Sequence, residues 1–126
     1  MILFDDFFLQ DDSPIYLQII RYVKRGIVSG SIRDGDEMLS RRALSVQLGV
    51  NPNTIQKAYH LLEEEGIIHS RSGARSCVEV DGQKVEQIRL SLMYQDTAVW
   101  VSAMKQMGVT FEEAAGIAAR MWEEEP

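Results

Sequence analysis

Between Asn51 and His60 the chain carries side chains suited to gripping and reading a polyanion. If Asn51 caps a helix whose first position is Pro52, then Asn53, Gln56, Lys57 and His60 share its outward side. Asn53 and Gln56 each present a donor and an acceptor together, which suits adenine in the major groove, while Lys57 supplies charge to a phosphate or a guanine edge. Ser40, Arg41 and Arg42 precede this stretch, and Arg71, Ser72, Gly73 and Arg75 follow it. The outward positions hold no acid, yet the same segment ends in Glu63–Glu64–Glu65. Three acids in a last turn oppose the helix dipole, so helix stability does not explain them. At about 1.5 Å per residue, Glu64 lies roughly 17 Å from Asn53, so one end suits phosphate and the other must point away.

Other chemistries find little support. His60, His69 and Cys77 lack the tight pair spacing of a metal site, and no metal or cofactor is expected. There is no nucleophile motif, no phosphate loop and no credible triad, which argues against an enzyme. A single cysteine excludes an internal disulfide framework and fits a reducing cytoplasm. The first residues, Met1–Ile2–Leu3–Phe4 and then Asp5–Asp6, have neither a basic region nor a long apolar run, so a secretory signal is not expected. No run reaches the roughly 18 to 20 apolar residues that span a bilayer, and no membrane partner is expected. The net charge of −6 is unevenly spread: residues 13–78 hold nine Lys and Arg against six Asp and Glu, and both flanks are acidic. The middle of the chain is therefore where a polyanion is best received.

The elements that must position these residues follow from spacing. Ser13–Pro14 reads as a helix start, followed by Tyr16, Ile19, Ile20, Val23 and Ile27 at helical intervals up to Gly30. Ser40 starts a short helix with Leu44 and Leu48 on one face, ended by Gly49. After the buried-looking spacer Val50 the next helix opens at Asn51–Pro52, with Ile55, Ala58, Tyr59 and Leu62 facing inward and Gly66 just past its end. Two short helices joined by a tight glycine turn form a helix-turn-helix. Residues 67–80 read as a β-hairpin with Val78 and Val80 on one face, which makes a wing. Asp81–Gly82 is the expected boundary. Beyond it lie a long helix over about 83–107 and, after the capping-box spacing of Thr110 and Glu113, a last helix. The expected fold is mainly α with a small β-hairpin wing, comprising a winged helix-turn-helix over 1–80 and a two-helix module over 83–126.

Several blocks within residues 13–78 resemble the DNA-binding domain of the GntR family of bacterial transcription regulators. They are Pro14–Ile15–Tyr16–Leu17–Gln18–Ile19, Ser40–Arg41–Arg42–Ala43–Leu44, Leu48–Gly49–Val50–Asn51–Pro52–Asn53–Thr54–Ile55, Ala58–Tyr59 and Leu62–Glu63–Glu64–Glu65–Gly66–Ile67–Ile68. The short tail resembles the YtrA-like subfamily. The resemblance implies a homodimer that binds a double-stranded DNA operator. It also implies that Arg42 contacts DNA, that Asn51, Asn53, Thr54, Gln56 and Lys57 form the start of the recognition helix, and that Ser72–Gly73 is the wing tip. Two positions depart from the family pattern: Leu39 stands where proline usually precedes the serine, and Arg75 where the wing usually has a second glycine. Arg75 then either adds a phosphate or minor-groove contact or stiffens the tip. Asn51 and Thr54 suit capping, with backbone N–H groups turned toward a phosphate.

The tail helices carry more apolar surface than a helical hairpin can bury alone. Leu92 and Val99 belong to the stripe of the long helix, Phe111, Ala115, Ala118 and Trp122 share one face of the last helix, and Trp100 and Met104 add to the first stripe. An isologous dimer sharing this core is the expected solution. The functional expectation is a dimeric repressor on a pseudo-palindromic operator, with any small-molecule effector acting through the tail helices. The rival reading is a winged-helix adaptor that binds protein, which the acidic net charge favours.

Overall fold

The computed structural model describes residues 1–70 and 75–125 and is mainly helical, with one small antiparallel sheet. In chain order the elements are α1 (Ile15–Ser29), α2 (Arg41–Leu48), α3 (Pro52–Glu64), β1 (Ile68–His69), β2 (Cys77–Val78), α4 (Gly82–Gln106) and α5 (Phe111–Glu124). Two compact units result, Met1–Leu90 and Ser91–Pro126, with the division falling within the span of α4. The early turns of α4 belong to the first unit: Ile88 is buried, and the Lys84 ammonium donates to the Glu65 carbonyl. No helix among the described residues is long and apolar enough to cross a membrane.

In the first unit α1 and α2 both pack on α3. The stripe Ile19, Ile20, Val23 and Ile27 on α1 is buried, as are Leu44 on α2 and Ile55, Ala58, Tyr59 and Leu62 on α3. Each buried side chain of this size contributes about 1.5–3 kcal/mol, so these stripes dominate the unit's stability. Met38, Ile67, Ile68 and Val78 close the core beneath the sheet. The strands pair Ile68 with Val78 and His69 with Cys77. Single bridges, Glu37 to Cys77 and Ile2 to Met38, extend this small sheet toward the N-terminus.

The turn between α2 and α3 is built locally. Gly49 closes α2 at φ 67°, a left-handed conformation that costs other residues a steric penalty. Ser45 donates its hydroxyl to the Val50 carbonyl at 2.6 Å and receives the Val50 amide at its own carbonyl, tying helix to turn. Val50 itself is half-buried.

Two features of the first unit differ from the sequence expectation or go beyond it. Ser13 does not cap α1; Pro14 occupies the cap position, and Gln18 clamps the preceding segment instead. The Gln18 side chain accepts from the Gln10 amide and donates to the Gln10 and Ser13 carbonyls, each within 2.9 Å. The acidic N-terminal segment is also part of the core. Ile2 and Phe4 are buried, Phe4 stacks on Tyr22 at 4.7 Å, and Phe7 meets both rings edge-on. The Tyr22 hydroxyl donates to Asp6, and burial together with the Asp6 contact pushes this phenol up to about 12.

In the second unit Thr110 and Glu113 form the expected capping box at the start of α5, with Thr110 Oγ1 accepting from the Glu113 amide at 3.2 Å. Leu92 and Ala114 are its buried apolar residues.

Gly26 marks where α1 has no room to spare. A Cβ there would lie 2.7 Å from Ile32 Cγ1, and Ile32 is buried. Alanine is favoured over glycine inside a helix by about 1 kcal/mol, but overpacking costs about 1–3 kcal/mol. Gly26→Ala is therefore expected to lower the melting temperature, measured by circular dichroism. A rise would mean that Ile32 moves aside freely.

Candidate nucleic-acid interface

The residues expected to meet DNA gather at two helix starts. Ser40 caps α2 by accepting from the Ala43 amide at 3.1 Å, and Asn51 caps α3 by accepting from the Asn53 amide at 2.8 Å. Neither helix has an acid in its first turn. Both therefore keep the partial positive charge and the uncommitted amides that favour an anion at a helix N-terminus. Arg42 is exposed at the opening of α2, and Asn53, Gln56 and Lys57 are exposed along the first turns of α3. Lys57 Nζ lies 4.1 Å from the centre of the half-buried Tyr16 ring. That contact steadies a long side chain while its charge stays at the surface. Thr54 is half-buried, and its amide bonds the Asn51 carbonyl at 3.0 Å.

Arg41 takes a different path from its neighbour. It is half-buried over the Tyr59 ring, 5.0 Å from its centre, and Nη2 pairs with Glu63 at 3.3 Å. Its Nε is buried and has no hydrogen-bond partner among the described residues. The charge of Arg41 is thus committed inside the fold, whereas Arg42 is exposed and forms no ion pair among the described residues. Arg75 is exposed at the start of the returning strand segment, with Nη1 3.3 Å from Met1 Sδ. Arg71, Ser72 and Gly73 lie outside the described residues.

The glutamates that end α3 are anchors. Glu63 holds Arg41 and accepts from the Ser70 hydroxyl at 2.5 Å. Glu64 pairs with His60 at 3.0 Å, and Glu65 pairs with Lys24 of α1 at 3.0 Å. Their partners on other elements could not be read from helical spacing, although the i,i+4 pair of His60 and Glu64 could. The negative end of α3 is bonded to its own fold, while its positive end stays open.

In the second unit the eight residues expected at an interface are unequally covered. Leu92 is buried; Trp100, Met104 and Ala115 are half-buried; and Val99, Phe111, Ala118 and Trp122 are exposed, Trp122 at 84%. Trp100, Ile117, Ala118, Met121 and Trp122 line an open apolar depression of about 610 Å³.

Comparison with known proteins agrees with this geometry. The family model described as bacterial regulatory proteins of the gntR family matches residues 15–78. The chain is 34% identical over 104 residues to the uncharacterized HTH-type transcriptional regulator YhcF of Bacillus subtilis, covering 82% of this chain and 86% of that one. It is 42% identical over 64 residues to the HTH-type transcriptional repressor YtrA of the same organism, about half of each chain. A solved GntR family transcriptional regulator from Listeria monocytogenes superposes with a TM-score of 0.77 at 36% identity, covering 89% of this chain and 98% of the other. The DNA-binding domain of AraR in complex with operator ORX1 superposes with a TM-score of 0.50 at 26% identity, over 56% of this chain and 92% of that one.

Tyr59 joins these elements and gives a pH test. Its hydroxyl donates to the Leu39 carbonyl at 2.7 Å, and burial holds the phenol well above its ordinary value, against a smaller opposing pull from Arg41. A raised folded value means that Tyr59 contributes its full stability below the unfolded value near 10 and loses it as pH rises further. Tyr59→Phe is expected to cost about 1–3 kcal/mol at neutral pH, because it leaves the Leu39 carbonyl without its donor. Urea denaturation between pH 9 and about 11 should show the wild type losing stability faster than the variant. Parallel slopes would contradict this.

Proposed function

Given that the chain belongs to the gntR family of bacterial regulatory proteins and is a DNA-binding winged-helix transcription regulator, we propose that it acts as a cytoplasmic homodimeric repressor on a pseudo-palindromic operator. Each subunit inserts the N-terminal turns of α3 into a major groove. Arg42 and Lys57 grip phosphate or guanine, Asn53 and Gln56 read base edges, and Ser40, Asn51 and Thr54 orient backbone amides toward the DNA backbone. Arg41 shapes this surface from beneath. The wing, with Arg71, Ser72, Gly73 and Arg75, contacts the flanking backbone. The two half-sites are expected about one helical turn apart.

The observation that carries this reading is the charge polarity of α3. The chain has a net charge of −6, yet the exposed side of its capped, acid-free start offers amides and a cation, while at the far end Glu63 and Glu65 bond to other elements and Glu64 pairs with His60 one turn back. The operator complex of the AraR domain, whose fold this chain shares over 56% of its length, supports the same docking. The apolar residues left uncovered on α4 and α5 support a dimer, since Val99, Phe111 and Trp122 are 70–84% exposed in one chain. A second copy burying them would share one core, and an effector would act there by altering how the two DNA-binding units are held.

A duplex selected from a random-sequence pool supplies the probe. Arg42→Ala is expected to weaken binding by about 1–3 kcal/mol without changing the melting temperature, and affinity should fall steeply with salt. Unchanged affinity would remove Arg42 from the interface, and salt-independent binding would favour a protein partner. In sedimentation equilibrium the wild type should show twice the chain mass and Trp122→Glu the single-chain mass, with at least tenfold weaker DNA binding. An unchanged dimer would clear Trp122 of that role.

A further inference from the structure

A chain of polar contacts runs from the opening of α2, through the end of α3, to both strands of the hairpin. Arg41 Nη2 pairs with Glu63 Oε1 at 3.3 Å; the same oxygen accepts from Ser70 Oγ at 2.5 Å; and Ser70 Oγ lies 2.8 Å from Ser76 Oγ. Proton counting sets the direction. A carboxylate only accepts, so Ser70 spends its one proton on Glu63, and Ser76 must donate to Ser70. Ser76 is buried, and its carbonyl accepts from the Met38 amide at 2.8 Å, so the far end of the chain is fixed in the sheet. At the near end Arg41 is held over Tyr59, whose hydroxyl is itself tied to the Leu39 carbonyl. Ser70 follows β1 directly and Ser76 precedes β2 directly, next to the exposed Arg75. The paired strands are two residues long, so their own ladder is a weak determinant of where the hairpin ends point.

We propose that Glu63 is a positioning residue for DNA binding: through Ser70 and Ser76 it locks the ends of the hairpin to α3, so that Arg75 reaches the DNA backbone when the start of α3 occupies its groove. This rests on the DNA-binding reading above and adds a role for an acid that never touches DNA. It carries a sign that simple electrostatics does not. Removing a negative charge near a polyanion should tighten binding; loss of this lock should weaken it.

The test uses the full chain and a duplex that the wild type selects from a random pool, with Arg75→Ala made in three backgrounds: wild type, Glu63→Ala and Ser70→Ala. Ser70 is exposed, so its variant cuts the link to the hairpin while sparing the Arg41–Glu63 pair and the core. Glu63→Ala and Ser70→Ala should each weaken binding about threefold to tenfold and reduce the salt slope by about one, as expected for one lost phosphate contact. Arg75→Ala should cost about fivefold in the wild-type background and less than about twofold in either variant, because coupled residues do not add. The same cost in all three backgrounds, or tighter binding by Glu63→Ala, would overturn the inference while leaving DNA binding intact. A wild type that selects no duplex would contradict the DNA-binding reading itself.

Discussion

A helix proposed to offer its N-terminus to DNA has to be held by the rest of its length, and this constraint organises the first unit. The hold on α3 is mainly apolar. Ile55, Ala58, Tyr59 and Leu62 are buried against α1 and α2, and side chains of this kind contribute about 1.5–3 kcal/mol each. The ion pairs at its far end are part-exposed, and such pairs contribute about 0–1 kcal/mol. Their value is placement. Glu63, Glu64 and Glu65 keep their charge at the end of α3 away from its capped start, so a chain of acidic net charge retains an acid-free helix start.

Most of the first unit was legible in the sequence, because its elements follow local rules. The apolar stripes of α1 and α3, the caps at Ser40 and Asn51, and the glycine turn at Gly49 all depend on residues within a few positions of one another. What escaped depends on distant partners. Arg41 looks equivalent to Arg42 in the sequence, yet Tyr59 and Glu63 draw it inward. Glu65 meets Lys24 across 41 positions, which no periodicity encodes. The N-terminal segment looked merely acidic, while Ile2 and Phe4 enter the core through a bridge to Met38 and a stack on Tyr22. Ser13 had the right type for a cap, but Gln18 supplies the contacts instead.

The second unit poses the opposite problem. Its helices formed where the spacing placed them, and the capping box at Thr110 is present, but Leu92 and Ala114 are a small core for two helices carrying two tryptophans, several methionines and Phe111. Amphipathic spacing identifies an apolar face without stating what covers it. The proposed second copy of the chain would cover that face and fit the proposed two-fold operator, since an isologous contact presents the same surface from both subunits.

The central claim is that DNA meets the starts of α2 and α3 while the far end of α3 remains in the fold. Amide chemical shifts of the labelled protein, recorded as the selected duplex is added, test it most directly. The account predicts that the largest changes fall on residues 40–45 and 51–57, with residues 62–66 nearly unmoved. Changes centred on residues 62–66, or confined to α5, would contradict it.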